Sequence, residues 1–223
     1  MRTWTCMLAI LFATTILQAT PVRVACVGDS ITYGLRITDR KKNCYPAVLQ
    51  RLLGDGYEVR NFGANSATVQ ENGNRPYTHK KVYRESLDWQ PDIVILLLGT
   101  NDSKKQNWVD VDSYMDAMRK LIQSYLDLPG NPKIYVMTPP KAFSGYVGIN
   151  DNHIKEETEA LLAQTDYPVL DLRSVFEDNR QWIASDGIHP NREGAREIAT
   201  RIAKTLQHGA DIPQQIEQGT QIL

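Results

Sequence analysis

A chain of 223 residues that is 42% hydrophobic and 23% charged is long enough to bury one full core, and this composition excludes a disordered or fibrous protein. The formal net charge of −1 provides no field that would attract nucleic acid or an anionic membrane, so we predict no nucleic-acid partner. Basic side chains form only short runs, at residues 40–42 and 80–81, which are typical of a solvated surface.

The first twenty residues have the layout of a secretory signal peptide. Arg2 is a lone positive charge, residues 6–17 are mostly apolar, and Ala19 offers a small residue at a plausible cleavage point. The apolar run is too short for a membrane anchor. We predict a secreted or periplasmic protein from which residues 1–20 are removed, with no stable membrane insertion afterwards. An unstructured or membrane-skimming N-terminus is the alternative.

Two cysteines, Cys26 and Cys44, would remain after that cleavage. Export permits a disulfide, but two cysteines do not form a disulfide framework, so we expect free thiols. No cysteine pair has metal-ligand spacing with a histidine, and we therefore predict no metal site.

Five short apolar runs predict β-strands, each followed by a turn or loop. They span residues 22–27, 57–62, 93–98, 133–137 and 168–172. The third run is the most hydrophobic stretch of the mature chain and shows no alternation with polar residues, as expected for a central strand covered on both faces.

Apolar side chains at helical spacing occur between these strands. The predicted helices span residues 46–53, 80–87, 110–127 and 151–164, and a last helix begins near residue 191. The polar residues 36–43 and 63–74 predict loops, and residues 173–185 have a mixed pattern.

Strands alternating with helices predict an α/β protein with right-handed crossovers. We expect a three-layer, flavodoxin-like fold with a five-stranded parallel sheet in the order 2-1-3-4-5 and helices on both faces. One domain would cover residues 21–208, and residues 209–223 would form a polar tail.

The first predicted strand is broken by Gly28, and Asp29 and Ser30 follow at once. In open parallel sheets, ligands bind beyond the carboxyl ends of the strands, at the switch point between the first and third strands. Ser30 and Asn101, which follows the third strand, would both emerge there. A serine hydroxyl is a candidate nucleophile, but it needs a base to activate it.

Asp186 and His189 lie three residues apart in a glycine-containing loop before the last helix. An imidazole can take the hydroxyl proton, and a carboxylate can fix its tautomer. The alternative is that Asp186 caps a turn and His189 is a surface residue. The remaining histidines are less well placed: His79, His153 and His208.

Acyl transfer by a serine also needs donors for the oxyanion. The side-chain amide of Asn101 is one candidate, and the main-chain amide of Ser30 at its sharp turn is another. The loop of residues 63–66 offers a third.

Three sequence blocks, in this order along the chain, resemble those of the SGNH hydrolases, the GDSL esterase/lipase family. They are Gly28-Asp29-Ser30-Ile31, Gly99-Thr100-Asn101-Asp102 and Asp186-Gly187-Ile188-His189-Pro190. The resemblance implies that Ser30 is the nucleophile, His189 the general base and then acid, and Asp186 the residue that orients it. Asn101 and main-chain amides would form the oxyanion hole.

The family's remaining block departs from its usual pattern here. That block normally carries a glycine whose amide donates to the oxyanion, and alignment on Asn61 and Thr68 places Ser66 at this position. Serine keeps the amide, but glycine adopts a positive φ more easily, so the exchange bears on the backbone shape of the loop. Gly63 is the fallback donor.

Residues 43–46 and 91–104 further resemble exported bacterial sialate O-acetylesterases and related carbohydrate acetylesterases. We therefore predict an exported serine esterase that removes acetyl groups from a carbohydrate such as sialic acid or a plant or host glycan. The resemblance implies no metal or organic cofactor. The oligomeric state is left open.

Two alternative hypotheses about the function remain. A lipase, lysophospholipase or thioesterase of the same family would need a continuous apolar groove, and the polar loops at residues 36–43 and 63–78 argue against one. A non-catalytic, flavodoxin-like binding module would use the same fold. No glycine-rich phosphate loop supports a nucleotide-binding version, since residues 28–34 match neither common phosphate motif.

Overall fold

A computed structural model describes residues 20–209 of the chain. The predicted signal peptide, apart from Thr20, and the predicted tail, apart from Gly209, lie outside the described residues. No helix within residues 20–209 has both the length and the apolar character needed to cross a membrane.

The centre of the molecule is a five-stranded sheet in which every neighbouring pair is parallel. Its strands are β1 (Val22–Gly28), β2 (Tyr57–Gly63), β3 (Ile93–Leu97), β4 (Lys133–Met137) and β5 (Val169–Leu170). The spatial order is β2-β1-β3-β4-β5. The predicted parallel sheet and its strand order are therefore confirmed.

Helices connect successive strands, together with short 3-10 turns. They are α1 (Ser30–Tyr33), α2 (Arg40–Asn43), α3 (Tyr45–Leu53), α4 (Lys81–Asp88), α5 (Val111–Leu126), α6 (Asp151–Gln164), α7 (Leu172–Glu177) and α8 (Arg192–Gly209).

The side chains of the central strands alternate between two apolar cores, one on each face of the sheet. On one face, Ile93, Ile95 and Leu97 of β3 pack with apolar residues of α3 and α8. On the other face, Val94 and Leu96 pack with residues of α5 and α6. Both faces are therefore covered by helices, as the unbroken apolar run of β3 predicted.

Three local details differ from the sequence-based expectation. Residues 40–43 form one helical turn where we expected only loop, and β5 is two residues long rather than five. In the stretch of mixed pattern, α7 begins after Asp171, whose carboxylate accepts the Ser174 N–H at 3.1 Å. The start of this helix could have been predicted from Asp171, since aspartate is a preferred N-cap residue.

Cys26 and Cys44 are buried free thiols, as predicted. Cys26 lies inside β1, where burial raises the pKa of its thiol well above the ordinary value. A thiol of this kind behaves as a small apolar core residue.

The register of the sheet brings the functional loops together. Gly28 at the end of β1 pairs with Gly63 at the end of β2 and with Leu97 at the end of β3. The residues that follow these three positions therefore emerge side by side at the carboxyl edge of the sheet.

Candidate active site

The nucleophile candidate is held at the sharp turn between β1 and α1. At Gly28 the chain passes so close to Thr32 and to the Leu97 carbonyl that an added Cβ would lie 2.2 and 2.5 Å from them. Asp29 then caps α1, because its carboxylate accepts the Ile31 N–H at 2.8 Å. Ser30 is thereby the first residue of the helix, and it is 6% exposed.

Ser30, His189 and Asp186 form one chain of hydrogen bonds. Nε2 of His189 lies 2.9 Å from Oγ of Ser30, and Nδ1 lies 2.7 Å from Oδ2 of Asp186. A carboxylate can only accept, so this contact places the ring proton on Nδ1. Nε2 is then free to accept the serine hydroxyl proton, which is the arrangement needed for nucleophilic activation.

The Asp186 carboxylate is fixed within its own tight loop. Its Oδ1 accepts the main-chain N–H groups of Ile188 at 3.0 Å and His189 at 3.1 Å. Gly187, which lies between Asp186 and Ile188, has a φ of +78°, which glycine adopts without strain. Burial by itself would raise the pKa of Asp186, but the hydrogen bonds from the His189 side chain and these N–H groups outweigh it and leave the pKa below its usual range.

Asn101 lies at the same edge of the sheet, on the turn after β3. Its side-chain Nδ2 is 3.3 Å from Oδ2 of Asp29 and 3.2 Å from the main-chain oxygen of Ala67. Both contacts are longer than the usual ~2.9 Å, so they orient the amide without holding it strongly. The residue is 5% exposed, and its main-chain oxygen is itself held by the Asn107 side chain at 2.8 Å.

Ser66 adopts the backbone conformation for which glycine is usually chosen, with a φ of +62°. The serine that replaces the family's glycine thus keeps a left-handed turn, at some cost in strain. Within residues 20–209, the main-chain N–H groups of Ser30 and Ser66 meet no hydrogen-bond acceptor. Gly63 differs, because its N–H donates to Oδ1 of Asn61 at 2.9 Å, which disfavours it as an oxyanion donor.

Two buried carboxyl groups support this edge of the sheet, and neither was singled out from the sequence. Burial raises the pKa of Asp29 to about 6, although the Ile31 N–H and the nearby His189 lower it. Burial likewise raises the pKa of Asp102 to about 7, against the effect of two main-chain N–H donors. Both residues belong to the sequence blocks already noted, so the signal was their position in those blocks.

Comparison with known proteins agrees with this geometry. The model of the GDSL-like lipase/acylhydrolase family matches residues 26–197. The chain belongs to this family. The matched segment includes Ser30, Ser66, Asn101, Asp186 and His189 and the whole sheet apart from the first four residues of β1, so the resemblance noted from three short blocks extends over most of the chain. Assignment to the SGNH-type esterases is confirmed at the level of the family.

Two relatives in sequence are longer than this chain. An acetylxylan esterase from Xylanibacter ruminicola is 35% identical over 207 residues, which is 83% of this chain and 43% of that protein. A multidomain esterase from Ruminococcus flavefaciens is 24% identical over 237 residues, covering 88% of this chain and 30% of that protein. The chain therefore spans less than half the length of these relatives.

Solved structures share the fold. An aryl esterase from M. smegmatis superposes with a TM-score of 0.68, at 22% identity, over 84% of this chain and 99% of that one. A carbohydrate acetylesterase from Sinorhizobium meliloti has the same identity and coverage and a TM-score of 0.67. This similarity confirms the three-layer α/β fold with the strand order 2-1-3-4-5.

Proposed function

We propose that this protein is an exported serine esterase that removes short acyl groups, acetyl above all, from a carbohydrate. The observation that carries the proposal is the continuous path of hydrogen bonds from Oγ of Ser30 through His189 to Asp186. Such a path activates serine for acyl transfer. A binding module would have no need for a base within 2.9 Å of its serine hydroxyl.

In the first half-reaction, Oγ of Ser30 forms a bond to the ester carbonyl carbon while its proton passes to Nε2 of His189. The carbonyl oxygen becomes an oxyanion, and Asp186 stabilises the imidazolium that has formed. The C–O bond to the sugar then breaks, and the departing oxygen takes the proton from Nε2. An acyl-enzyme on Ser30 remains.

In the second half-reaction, water gives a proton to Nε2 as it attacks the acyl carbon. The bond to Oγ breaks, the proton returns to Oγ, and acetic acid departs. The main-chain amides of Ser30 and Ser66 and the side-chain amide of Asn101 are the donors we assign to the oxyanion. Losing one such donor typically costs roughly two to three decades in rate.

The identity of the sugar is the next question. The relative at 35% identity is named an acetylxylan esterase, which favours an acetylated plant polysaccharide. The sequence resemblance to sialate O-acetylesterases favours acetylated sialic acid instead. We propose an acetylated glycan of the xylan type as the substrate, because the acetylxylan esterase match extends over 83% of the chain.

Hydrolysis of p-nitrophenyl acetate, butyrate and octanoate tests the reaction. We expect the mature protein to prefer acetate and Ser30→Ala to lose that activity, while Ser124→Ala on α5 serves as the matched control and keeps it. Preference for octanoate would instead indicate a lipase or thioesterase. Turnover that persists in Ser30→Ala would contradict the proposed nucleophile, and no turnover in any variant would favour a binding module.

Two further assays separate the finer parts of the proposal. Release of acetic acid from acetylated xylan but not from O-acetylated sialic acid would support a substrate of the xylan type. Release from O-acetylated sialic acid alone would overturn that assignment. Export is tested by N-terminal sequencing of the protein recovered outside the cytoplasm of a bacterial host. We expect the mature protein to begin at or next to residue 21.

A further inference from the structure

Oδ2 of Asp186 has a second charged neighbour besides the imidazole. Nε of Arg36 lies 3.4 Å from this oxygen, which also faces Nδ1 of His189 at 2.7 Å. The Asp186 side chain is 5% exposed, whereas that of Arg36 is 51% exposed. The arginine therefore covers the carboxylate from the solvent side.

The chain segment that carries Arg36 begins at the nucleophile. Gly34 ends α1 with a φ of +90°, and the N–H of Leu35 donates back to the Ser30 carbonyl at 2.9 Å. Arg36 itself has a φ of +69°, a conformation that costs a residue other than glycine on the order of 1–3 kcal/mol in strain and persists only where the surrounding structure imposes it. Ile37, directly after it, is buried in the core and anchors the segment.

We propose that Arg36 is a positioning residue of the catalytic triad. It joins the Ser30 segment to the Asp186 carboxylate, across 150 residues of sequence, and keeps that carboxylate directed at Nδ1 of His189. The inference rests on the proposed esterase function, since it assigns Arg36 a part in activating Ser30.

Arg36 also sets the charge around the imidazole. Asp186 contacts His189 from its own loop, Asp29 interacts with His189 electrostatically from behind the nucleophile, and Arg36 contacts the Asp186 carboxylate. The two carboxylates attract positive charge to the triad, and the guanidinium opposes them. Removing the guanidinium strengthens that attraction, so we expect base catalysis by the triad to require a higher pH.

The test is the pH profile of kcat/KM for p-nitrophenyl acetate in wild type, Arg36→Gln and Arg36→Lys. In Arg36→Gln we expect the acid limb to move up by about 0.3–0.7 pH unit and kcat to fall about two- to fivefold, the scale of a half-exposed ion pair. KM should change little, since this substrate carries no charge for Arg36 to bind. Arg36→Lys, which keeps the charge, should restore the wild-type acid limb.

Lys41→Gln is the matched control, because it removes an equal charge from an exposed position on α2. Asp29 has a pKa near 6 and titrates in the same range, but it is present in every variant, so the difference between profiles isolates Arg36. Thermal unfolding of each variant shows whether it is folded.

An unmoved acid limb in a folded Arg36→Gln would overturn the inference, and so would a rise in KM without a change in the acid limb. An equal shift in Lys41→Gln would reduce the effect to general surface charge and would also overturn it. These outcomes are distinct from failure of the proposed function, which shows as activity retained by Ser30→Ala.

Discussion

The buried carboxylate of Asp102 accepts the main-chain N–H of Gln70 at 2.9 Å. Its second oxygen accepts the N–H of Val69 at 3.1 Å. Asp102 follows Asn101 on the turn after β3, whereas Val69 and Gln70 belong to the loop after β2 that also carries Ser66. The Asp102 carboxylate thus links the loop that carries Ser66 to the turn that carries Asn101, and so fixes the relative positions of these two proposed oxyanion donors.

Replacing Asp102 by Asn tests whether this carboxylate keeps the two loops in place. An amide oxygen can accept one of the two N–H groups, but the amide nitrogen then faces the other donor. We expect the loop after β2 to shift and kcat to fall about 10- to 100-fold, since misplacement of a catalytic group by ~1 Å has effects of this size. KM for p-nitrophenyl acetate should change less than threefold, on the order of 0.6 kcal/mol.

Asp110→Asn is the control for the Asp102 variant, because Asp110 caps α5 from an exposed position and accepts the Ser113 N–H at 2.7 Å. That variant should lower stability by at most about 1 kcal/mol and leave kcat unchanged. Equal kcat in wild type and a folded Asp102→Asn would show that the loop keeps its place without the carboxylate.

Ser66 provides a second test, because its φ of +62° lies where side chains are strained. In Ser66→Gly we expect the amide to stay in place, kcat to remain within about twofold, and the free energy of unfolding to change by no more than about 1 kcal/mol. Ser66→Val should cost about 1–3 kcal/mol and lower kcat, since a β-branched residue resists this conformation.

The neighbouring Asn65 supplies the control for Ser66, because it is exposed and its φ is not positive. Asn65→Val should therefore leave both stability and kcat close to wild type. Chemical denaturation and p-nitrophenyl acetate kinetics on the four proteins make the comparison. A Ser66→Val protein as stable and active as wild type would mean that the left-handed turn is not required.

The fold was predictable because its signals are local and repeated. The unbroken apolar run of β3 indicated a central strand, and the alternation of strands with helices indicated a parallel sheet, whose carboxyl edge gathers the loops. Asp186 and His189 were readable as a pair because three residues separate them in one tight loop. Ser30 and Asn101 were readable because each follows a predicted strand at that edge.

The remaining features depend on contacts between distant segments. Arg36 stood in a stretch that we predicted as polar loop, and nothing in the sequence indicated its positive φ or its approach to Asp186. The hydrogen bonds from Val69 and Gln70 to Asp102 depend on where two loops that follow different strands meet. Side-chain periodicity contains no information about contacts between distant segments, so these contacts emerged only from the three-dimensional structure.

Glu157 on α6 leads to a prediction about stability. Its side chain is fully buried, and within the described residues neither carboxyl oxygen has a hydrogen-bond partner. Oε2 lies so close to the turn after β3 that a Cβ on Gly99 would be 2.5 Å away. Burial, and then the charges of Asp102 and Asp29, raise the pKa of Glu157 well above its ordinary value of 4.5.

Because the folded-state pKa is raised, the folded protein binds the Glu157 proton more tightly than the unfolded chain does. Its contribution to stability is fully present below pH 4.5 and is lost as pH rises through the folded-state pKa. Glu157→Gln removes this loss. Above about pH 4.5, we expect the free energy of unfolding of the variant to rise relative to that of wild type, by at most ~1.4 kcal/mol per pH unit.

Urea unfolding of wild type, Glu157→Gln and Glu156→Gln between pH 4 and pH 9 measures the effect. Glu156 is the exposed neighbour on the same helix, so its replacement should leave the pH dependence nearly unchanged. Asp29 and Asp102 remain in all three proteins and contribute a common background. Parallel stability curves for wild type and Glu157→Gln would mean that the buried carboxyl stays charged or is reached by water, because only a proton held in the folded state makes the two curves diverge.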